Sequence, residues 1–223
     1  MKTNPAKSTP GIDSLRTRNS FELTLQSRKE EVVQAYLANH PEILISVFRP
    51  PWSGGTTQCF PKFRLGAEFV CDFLILDGHY GRWDITLIEL EPPHARAFTK
   101  AGNFARRLNE ALRQVHEWFA WIHENPTYFR AALSRHCSEF AGESLETPPP
   151  EWMPHRSRVM TCAKIIIGRR SMLTPTDNSR RHTVFAESER KIEIIPYDRL
   201  VKFYDYDLRR DAQLNDAADR RLL

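Results

Sequence analysis

Phe69–Leu76 (FVCDFLIL) and Trp83–Glu91 (WDITLIELE) decide the fold. Both runs are apolar and rich in β-forming residues, so each reads as a strand. Asp77-Gly78-His79-Tyr80-Gly81 between them reads as a turn, which makes the pair a hairpin. Acidic residues interrupt both runs: Asp72 in the first, Glu89 and Glu91 in the second. Burying an ionised carboxylate costs several kcal/mol unless it is paired or bound to a cation. Side chains alternate along a strand, so Glu89 and Glu91 share a face with Ile85 and Leu87. With the turn centred near residues 80–81, Asp72 lies roughly opposite Glu89, their Cβ atoms about 5 Å apart. Three carboxylates then converge on one patch, and oxygen-only ligands favour Mg²⁺, Mn²⁺ or Ca²⁺ over zinc. The plainer alternative places these acids at strand ends or on a solvated face, where charge discourages edge-to-edge association.

Working outward, residues 92–102 read as a loop and Asn103 to Asn125 as the strongest helix. Its apolar stripe runs through Phe104, Leu108, Ala111, Leu112, Val115, Trp118, Phe119 and Ile122, with Asn103 as N-cap. Gln114 sits near the edge of that stripe, where it can be aimed at the carboxylates or at solvent. Thr127 to Phe140 reads as a further helix, Thr147–Pro150 as a linker, Arg158 to Gly168 as a buried strand and Arg190 to Ile195 as a shorter one. Pro196–Leu200 starts a last helical turn. Upstream, Phe21 to His40 and Glu42 to Phe48 read as helices, Pro50–Gly55 as a loop and Gln58 to Phe63 as a strand. This order predicts an α/β structure with a mixed sheet. Residues 1–20 are expected to form a mobile tail, 21–205 the domain, and 206–223 a C-terminal helix or tail.

The chain has 223 residues, 41% hydrophobic and 27% charged, which excludes collagen-like, disulfide-framework and wholly disordered classes. No apolar run approaches the ~18 residues of a membrane span, and MKTNPAKSTPG lacks the apolar core of a secretory signal. A cytoplasmic location is expected. The formal charge is only +4, but 24 Arg stand against 8 Lys, and Arg suits bidentate phosphate contacts. A GC-rich genome explains the same bias. Arg106-Arg107, Arg169-Arg170 and Arg180-Arg181 are paired basic sites, the last expected on a loop. The four cysteines (Cys59, Cys71, Cys137 and Cys162) form no CxxC pair and read as free thiols. There is no GxSxG nucleophile elbow.

An Asp in one strand, a Glu on the next and a helix carrying Gln resemble the PD-(D/E)XK nuclease superfamily. More narrowly, the chain resembles the nuclease domain of Shedu anti-phage defence proteins. The matching stretches, in the family's order, are LANHPEIL at 37–44, LGAEFVCDFLI at 65–75, LIELEPP at 87–93, ALRQVHEWFAWI at 111–122, KIIIGRR at 164–170 and IIPYDRLV at 194–201. The resemblance implies a restriction-endonuclease-like core, a mixed central sheet flanked by helices. It implies Mg²⁺-dependent (or Mn²⁺-dependent) cleavage of double-stranded DNA, assembly into homo-oligomers and a role in phage defence. Carried over by position, Asp72 and Glu89 match the metal-binding acids and Gln114 the helix glutamine. Glu30 or Glu31, with Glu31 preferred, takes the place of the acid on the first helix. The superfamily's lysine falls two residues after the second acid, and here that residue is Glu91. Lys100, in the loop before the long helix, is the first candidate for the unfilled role; Lys62 and Lys164 come after it. Glu91 can instead extend the metal site. The six paired arginines are the candidate DNA contacts. The rival reading is a catalytically silent nuclease-like domain that binds DNA or a partner as a sensor or scaffold. Regulation is left to oligomerisation, to the tails or to a separate partner.

Overall fold

The computed structural model describes residues 18–49, 56–79, 82–141 and 158–204. The hairpin is there and is extended on both sides into a five-stranded mixed sheet. Strand β1 (Thr56–Leu65), β2 (Phe69–His79) and β3 (Arg82–Leu90) form an antiparallel meander, followed by β4 (Arg158–Ile166) and β5 (Ile192–Ile195) in spatial order. The last two run parallel to β3. Parallel neighbours need crossover connections, which helices supply. Helices α4 (Arg106–Glu124) and α5 (Pro126–Ala141) lie between β3 and β4 in the chain, and α6 (Pro175–Glu187) lies between β4 and β5.

Alternation along the central strands sorts the core into two layers. Leu74, Leu76, Ile85 and Leu87 pack with Leu108, Leu112, Val115 and Trp118 of α4 and with Phe129 and Leu133 of α5. Phe73, Ile75, Ile88 and Leu90 face the other way. That second layer is closed by α1 (residues 18–24), α2 (Glu30–Asn39), α3 (Pro41–Phe48) and α7 (residues 198–204), through Phe21, Val33, Leu37, Ile43, Leu44 and Leu200. A sheet covered on both faces explains why its middle strands read as nearly unbroken apolar runs.

Several local expectations are corrected. The two strands of the hairpin run to His79 and from Arg82, so Asp77, Gly78 and His79 are strand rather than turn. Gly78 is needed there because a Cβ would come within 2.4 Å of the ring of Trp83, its cross-strand partner. The long helix starts at Arg106 with Ala105 as its N-cap. Asn103 is instead held in a tight loop in which Phe98 bridges Phe104. The segment Phe21 to His40 is split into α1 and α2 by a turn around Ser27, and residues 18–20 already belong to α1 rather than to a tail. Helix α6 has no counterpart in the sequence reading, which placed Arg180-Arg181 on a loop. Its start is a capping box, Thr174 accepting from the Asp177 N–H and Asp177 accepting from the Thr174 N–H, with Pro175 in the first turn. The last strand begins at Ile192, after a turn in which Glu189 and Arg190 take positive φ. The Thr147–Pro150 linker, the Pro50–Gly55 loop and the expected terminal segments up to residue 17 and from 206 onward lie outside the described residues.

Candidate functional site

The site is built where β1, β2 and β3 meet the start of α2. Pro61 pairs with Phe73 and Phe63 with Cys71, but the intervening Lys62 leaves the ladder and adopts φ 53°. A non-glycine residue in this left-handed region costs about 1–3 kcal/mol, so the surroundings must hold it there. What holds it is Asp72. The Lys62 ammonium lies 2.9 Å from Asp72 Oδ1. Gln34 of α2 donates to the same oxygen. The Leu90 N–H donates to Asp72 Oδ2 at 2.8 Å. Asp72 is 7% exposed, and three donors satisfy its charge.

The β2–β3 register runs to Phe73 opposite Ile88, and one step further the same register sets Asp72 across from Glu89. Burial, then the charges of Asp72, Glu30 and Glu91, push the Glu89 carboxyl up to about 9. Glu91 sits just past β3, where its N–H donates to the Ile166 carbonyl at 2.8 Å. Its carboxylate is buried, and Oε2 has no hydrogen-bond donor among the described residues. The nearest cation is Arg107 Nη1, 3.7 Å away at the start of α4. Burial pushes Glu91 up to about 7; Arg107 opposes this, while Glu30, Glu110 and Asp72 add to it. Glu30 of α2 is likewise raised to about 7, by burial and then by Asp72 and Glu31. Four carboxylates therefore share one patch, with Lys62 and Arg107 as the cations that face it.

The acid that α2 contributes is Glu30, not Glu31. Glu30 lies one helical turn before Gln34, on the inward face with Val33 and Leu37, whereas Glu31 is turned to solvent. The lysine of the patch is Lys62, not Lys100. Lys100 is exposed and lines a cleft with Arg96, Asp177 and Arg180, and the cations that act on Glu30, Glu89 and Glu91 are Lys62 and Arg107. Lys164 is held by Glu193 at 2.8 Å. Gln114 is half-buried on α4, on the helix face that also carries Arg107 and Glu110. Among the described residues it has no hydrogen bond to the patch.

The paired arginines divide. Arg107 faces Glu91, while Arg106 is exposed and pairs with Glu110 at 3.0 Å. Arg169 is tied to Asp198 and Glu22 at 3.2 and 3.0 Å, and Arg181 donates to the Ile194 carbonyl at 2.7 Å. Both side chains thus have partners within the structure. Arg170 is exposed, and the Arg180 guanidinium lies against Gly102. One group went unnoticed in the sequence. Tyr197 is fully buried with no hydrogen-bond partner for its hydroxyl among the described residues. Burial, and then the charges of Glu30, Asp72, Glu91 and Glu89, raise its pKa.

The chemistry of the donor set fits a divalent cation: the oxygens belong to hard ligands, and the pKa values of Glu89, Glu91 and Glu30 are all raised, by burial first and then by the charge of neighbouring carboxylates. The side chains as they stand do not form a closed cage. Among the described residues no group of three or more His, Cys, Asp or Glu side chains is gathered as a metal would gather them. Cys59, Cys71 and Cys162 are free thiols; burial pushes Cys59 up to about 12 and Cys71 higher than usual. No helix among the described residues is long and apolar enough to cross a membrane.

Fold and site together define an α/β protein with an acidic centre, a lysine and an arginine at one end of a mixed sheet. The chain belongs to the Shedu protein SduA C-terminal family, whose model matches residues 27–201. Membership suggests a role in anti-phage defence. No curated protein matches the sequence.

Proposed function

We propose that the chain is a divalent-cation-dependent DNA endonuclease of phage defence, on a restriction-endonuclease-like core in the cytoplasm. The observation that carries the reading is the Lys62 ammonium, 2.9 Å from Asp72 in a patch shared with Glu89, Glu91 and Glu30. Hydrolysis of a phosphodiester needs an activated water, neutralisation of the phosphate and help for the leaving oxygen. A bound Mg²⁺ or Mn²⁺ would supply charge neutralisation and polarise the phosphate.

The chain's own residues have separate parts. Asp72 and Glu89 are the ligands, with Glu30 or Glu91 completing the set. Lys62, more than half exposed at its side chain, reaches from Asp72 toward the open side. There it orients the attacking water or contacts a phosphate oxygen. Arg107 balances Glu91, which keeps that carboxylate in the patch. Gln114 is placed to position water or phosphate along α4. Arg106, Arg170 and Arg180 remain the candidate contacts to duplex DNA, which predicts an affinity that falls steeply with salt.

The silent-domain alternative drew its support from Glu91 at the family's lysine position. Lys62 offers a lysine from the neighbouring strand, which weakens that support. The test is cleavage of supercoiled plasmid and linear duplex with and without Mg²⁺ or Mn²⁺. Metal-dependent nicking or linearisation that is lost in Asp72→Asn and in Glu89→Gln, with both variants folded, is the expected result. Salt-sensitive DNA binding with no cleavage under any metal would overturn it in favour of the silent domain.

A further inference from the structure

A second feature opens beside the patch. The turn between β1 and β2 and the elbow between α4 and α5 enclose a groove of about 520 Å³. Lys62, Arg64, Trp121, Tyr128 and Arg135 line it, and no acidic residue does. Tyr128 in the first turn of α5 is 72% exposed, far more than an aromatic ring placed for packing. The ring of Trp121 lies against Gly66, whose absent Cβ would be 3.0–3.1 Å from three indole atoms. Gly66 has φ +64°, so turn and ring fix each other's position. Arg64 and Arg135 are both exposed. Among the described residues neither has an acidic partner.

Lys62 belongs to both features. Its ammonium touches Asp72, and its stem forms one wall of the groove. A chain leaving the patch past Lys62 enters a groove lined by Arg64, Arg135 and two aromatic rings. Cations together with aromatic faces, and no acid in the lining, are what a flexible polyanion with stackable bases recognises. A duplex presents only phosphates to such a groove, because its base faces are stacked on each other. A single strand presents both phosphates and bases.

We propose that this groove binds single-stranded DNA leading away from the reacting phosphate, with a base stacked on Tyr128 and phosphates on Arg64 and Arg135. The assignment of the reacting phosphate rests on the nuclease reading; the strand-binding groove does not. A fluorescein-labelled oligothymidine, titrated with the full chain in EDTA and followed by anisotropy, tests it without any cleavage. Tyr128→Ala is expected to weaken binding about 5- to 150-fold, and Tyr128→Phe to leave it within about 2-fold, since only the ring face is used. Arg135→Gln is expected to reduce the slope of log affinity against log salt by about 0.7. Trp121→Phe is expected to remove the quenching of tryptophan fluorescence by the oligonucleotide.

No binding of the oligonucleotide by the unaltered chain would overturn the proposal. So would equal affinity of Tyr128→Ala and the unaltered chain, or equal losses in Tyr128→Ala and Tyr128→Phe. Equal sensitivity of duplex binding to Tyr128→Ala would also overturn it. The two readings fail separately. Metal-dependent cleavage with Tyr128-independent binding refutes the groove alone. Tyr128-dependent binding with no cleavage under any metal refutes the nuclease alone.

Discussion

Replacing Glu89 by glutamine should make the metal-free protein more stable, although it removes a residue assigned to the site. Folding raises the Glu89 pKa from 4.5 to about 9, by burial and then by Asp72, Glu30 and Glu91. In the unfolded chain it titrates at its ordinary value. Between those two values the native state binds a proton that the unfolded state does not. Stability therefore falls as pH rises from about 4.5 toward about 9. At about pH 7 some two and a half pH units of that range have been crossed, at about 1.4 kcal/mol each, which gives a ceiling of about 3.5 kcal/mol. Movement of Glu30 and entry of water reduce this, so the expected gain for Glu89→Gln is about 1–3 kcal/mol. Glutamine keeps the volume of the side chain and never ionises.

For a domain of this size about 1 kcal/mol moves the melting temperature by about 2–4 °C, so a rise of roughly 3–10 °C is expected at about pH 7. At about pH 4.5 the two proteins should melt nearly together, because native and unfolded states there bind similar numbers of protons. The assay is thermal or urea denaturation in EDTA at several pH values, followed by the same series in Mg²⁺. A cation that binds only the folded form stabilises it, and should stabilise the unaltered protein more than the variant. A variant less stable at about pH 7, or one whose gain is the same at about pH 4.5, would refute the reasoning. Either result would mean that Glu89 is not held as a buried carboxyl pressed by its neighbours.

Three further outcomes are expected. Lys62→Met should lower cleavage by about 10²- to 10³-fold and cost about 1–3 kcal/mol, because the buried Asp72 loses its cation and keeps only Gln34 and the Leu90 N–H, whereas Lys100→Ala should leave cleavage within about 2-fold; plasmid nicking rates at equal folded fraction and melting curves read both. Arg181→Ala should cost about 1–3 kcal/mol, because the Ile194 carbonyl loses its guanidinium donor, while DNA affinity and its salt dependence stay unchanged. Tyr197→Phe should leave the metal-free protein as stable or up to about 1 kcal/mol more stable, since its hydroxyl has no partner among the described residues; a loss above about 1 kcal/mol in denaturant would show that the hydroxyl is bonded.

What the sequence disclosed depended on the range over which each signal acts. Apolar runs rich in β formers, with turn residues between them, located β2 and β3, and a turn centred near residues 80–81 put Asp72 roughly across from Glu89, as the register does. The apolar stripe of α4 was equally plain, because five of its residues are buried at helical spacing. Helix α6 was missed because its sequence, PTDNSRRHTVFAE, is polar on most faces; only Asp177 is buried along it. The signal that marks it is local, the Thr174–Asp177 capping box with Pro175 between them. The internal partners of Arg169 and Arg181 were not legible, because a run of arginines does not say which way each side chain turns. Asp198, Glu22 and the Ile194 carbonyl decide that, and they come from elsewhere in the chain.

The lysine shows where motif spacing stops being informative. A lysine two residues after the second acid describes one strand, while the chemistry requires only an ammonium near the carboxylates. In an antiparallel meander the residue opposite an acid on the neighbouring strand is as close as any on its own strand. The β1–β2 pairs sum to a constant, from Thr56 with Gly78 to Leu65 with Phe69, and that register sets Lys62 against Asp72. Pro61 has no N–H to donate, and Lys62 leaves the ladder with a positive φ. The left-handed backbone at Lys62 departs from regular strand geometry without changing the register, and its ammonium lies against Asp72. Glu91, freed from the lysine's position, faces Arg107 of α4 and adds a carboxylate to the patch. On the proposed nuclease reading, a substitution that reads as a loss along one strand is an exchange between neighbouring strands. Lys62→Gly, which suits the left-handed backbone but lacks the ammonium, should lose the lysine's contribution as Lys62→Met does, while Pro61→Ala should retain it. Nicking rates of the two variants, compared at equal folded fraction, measure that difference.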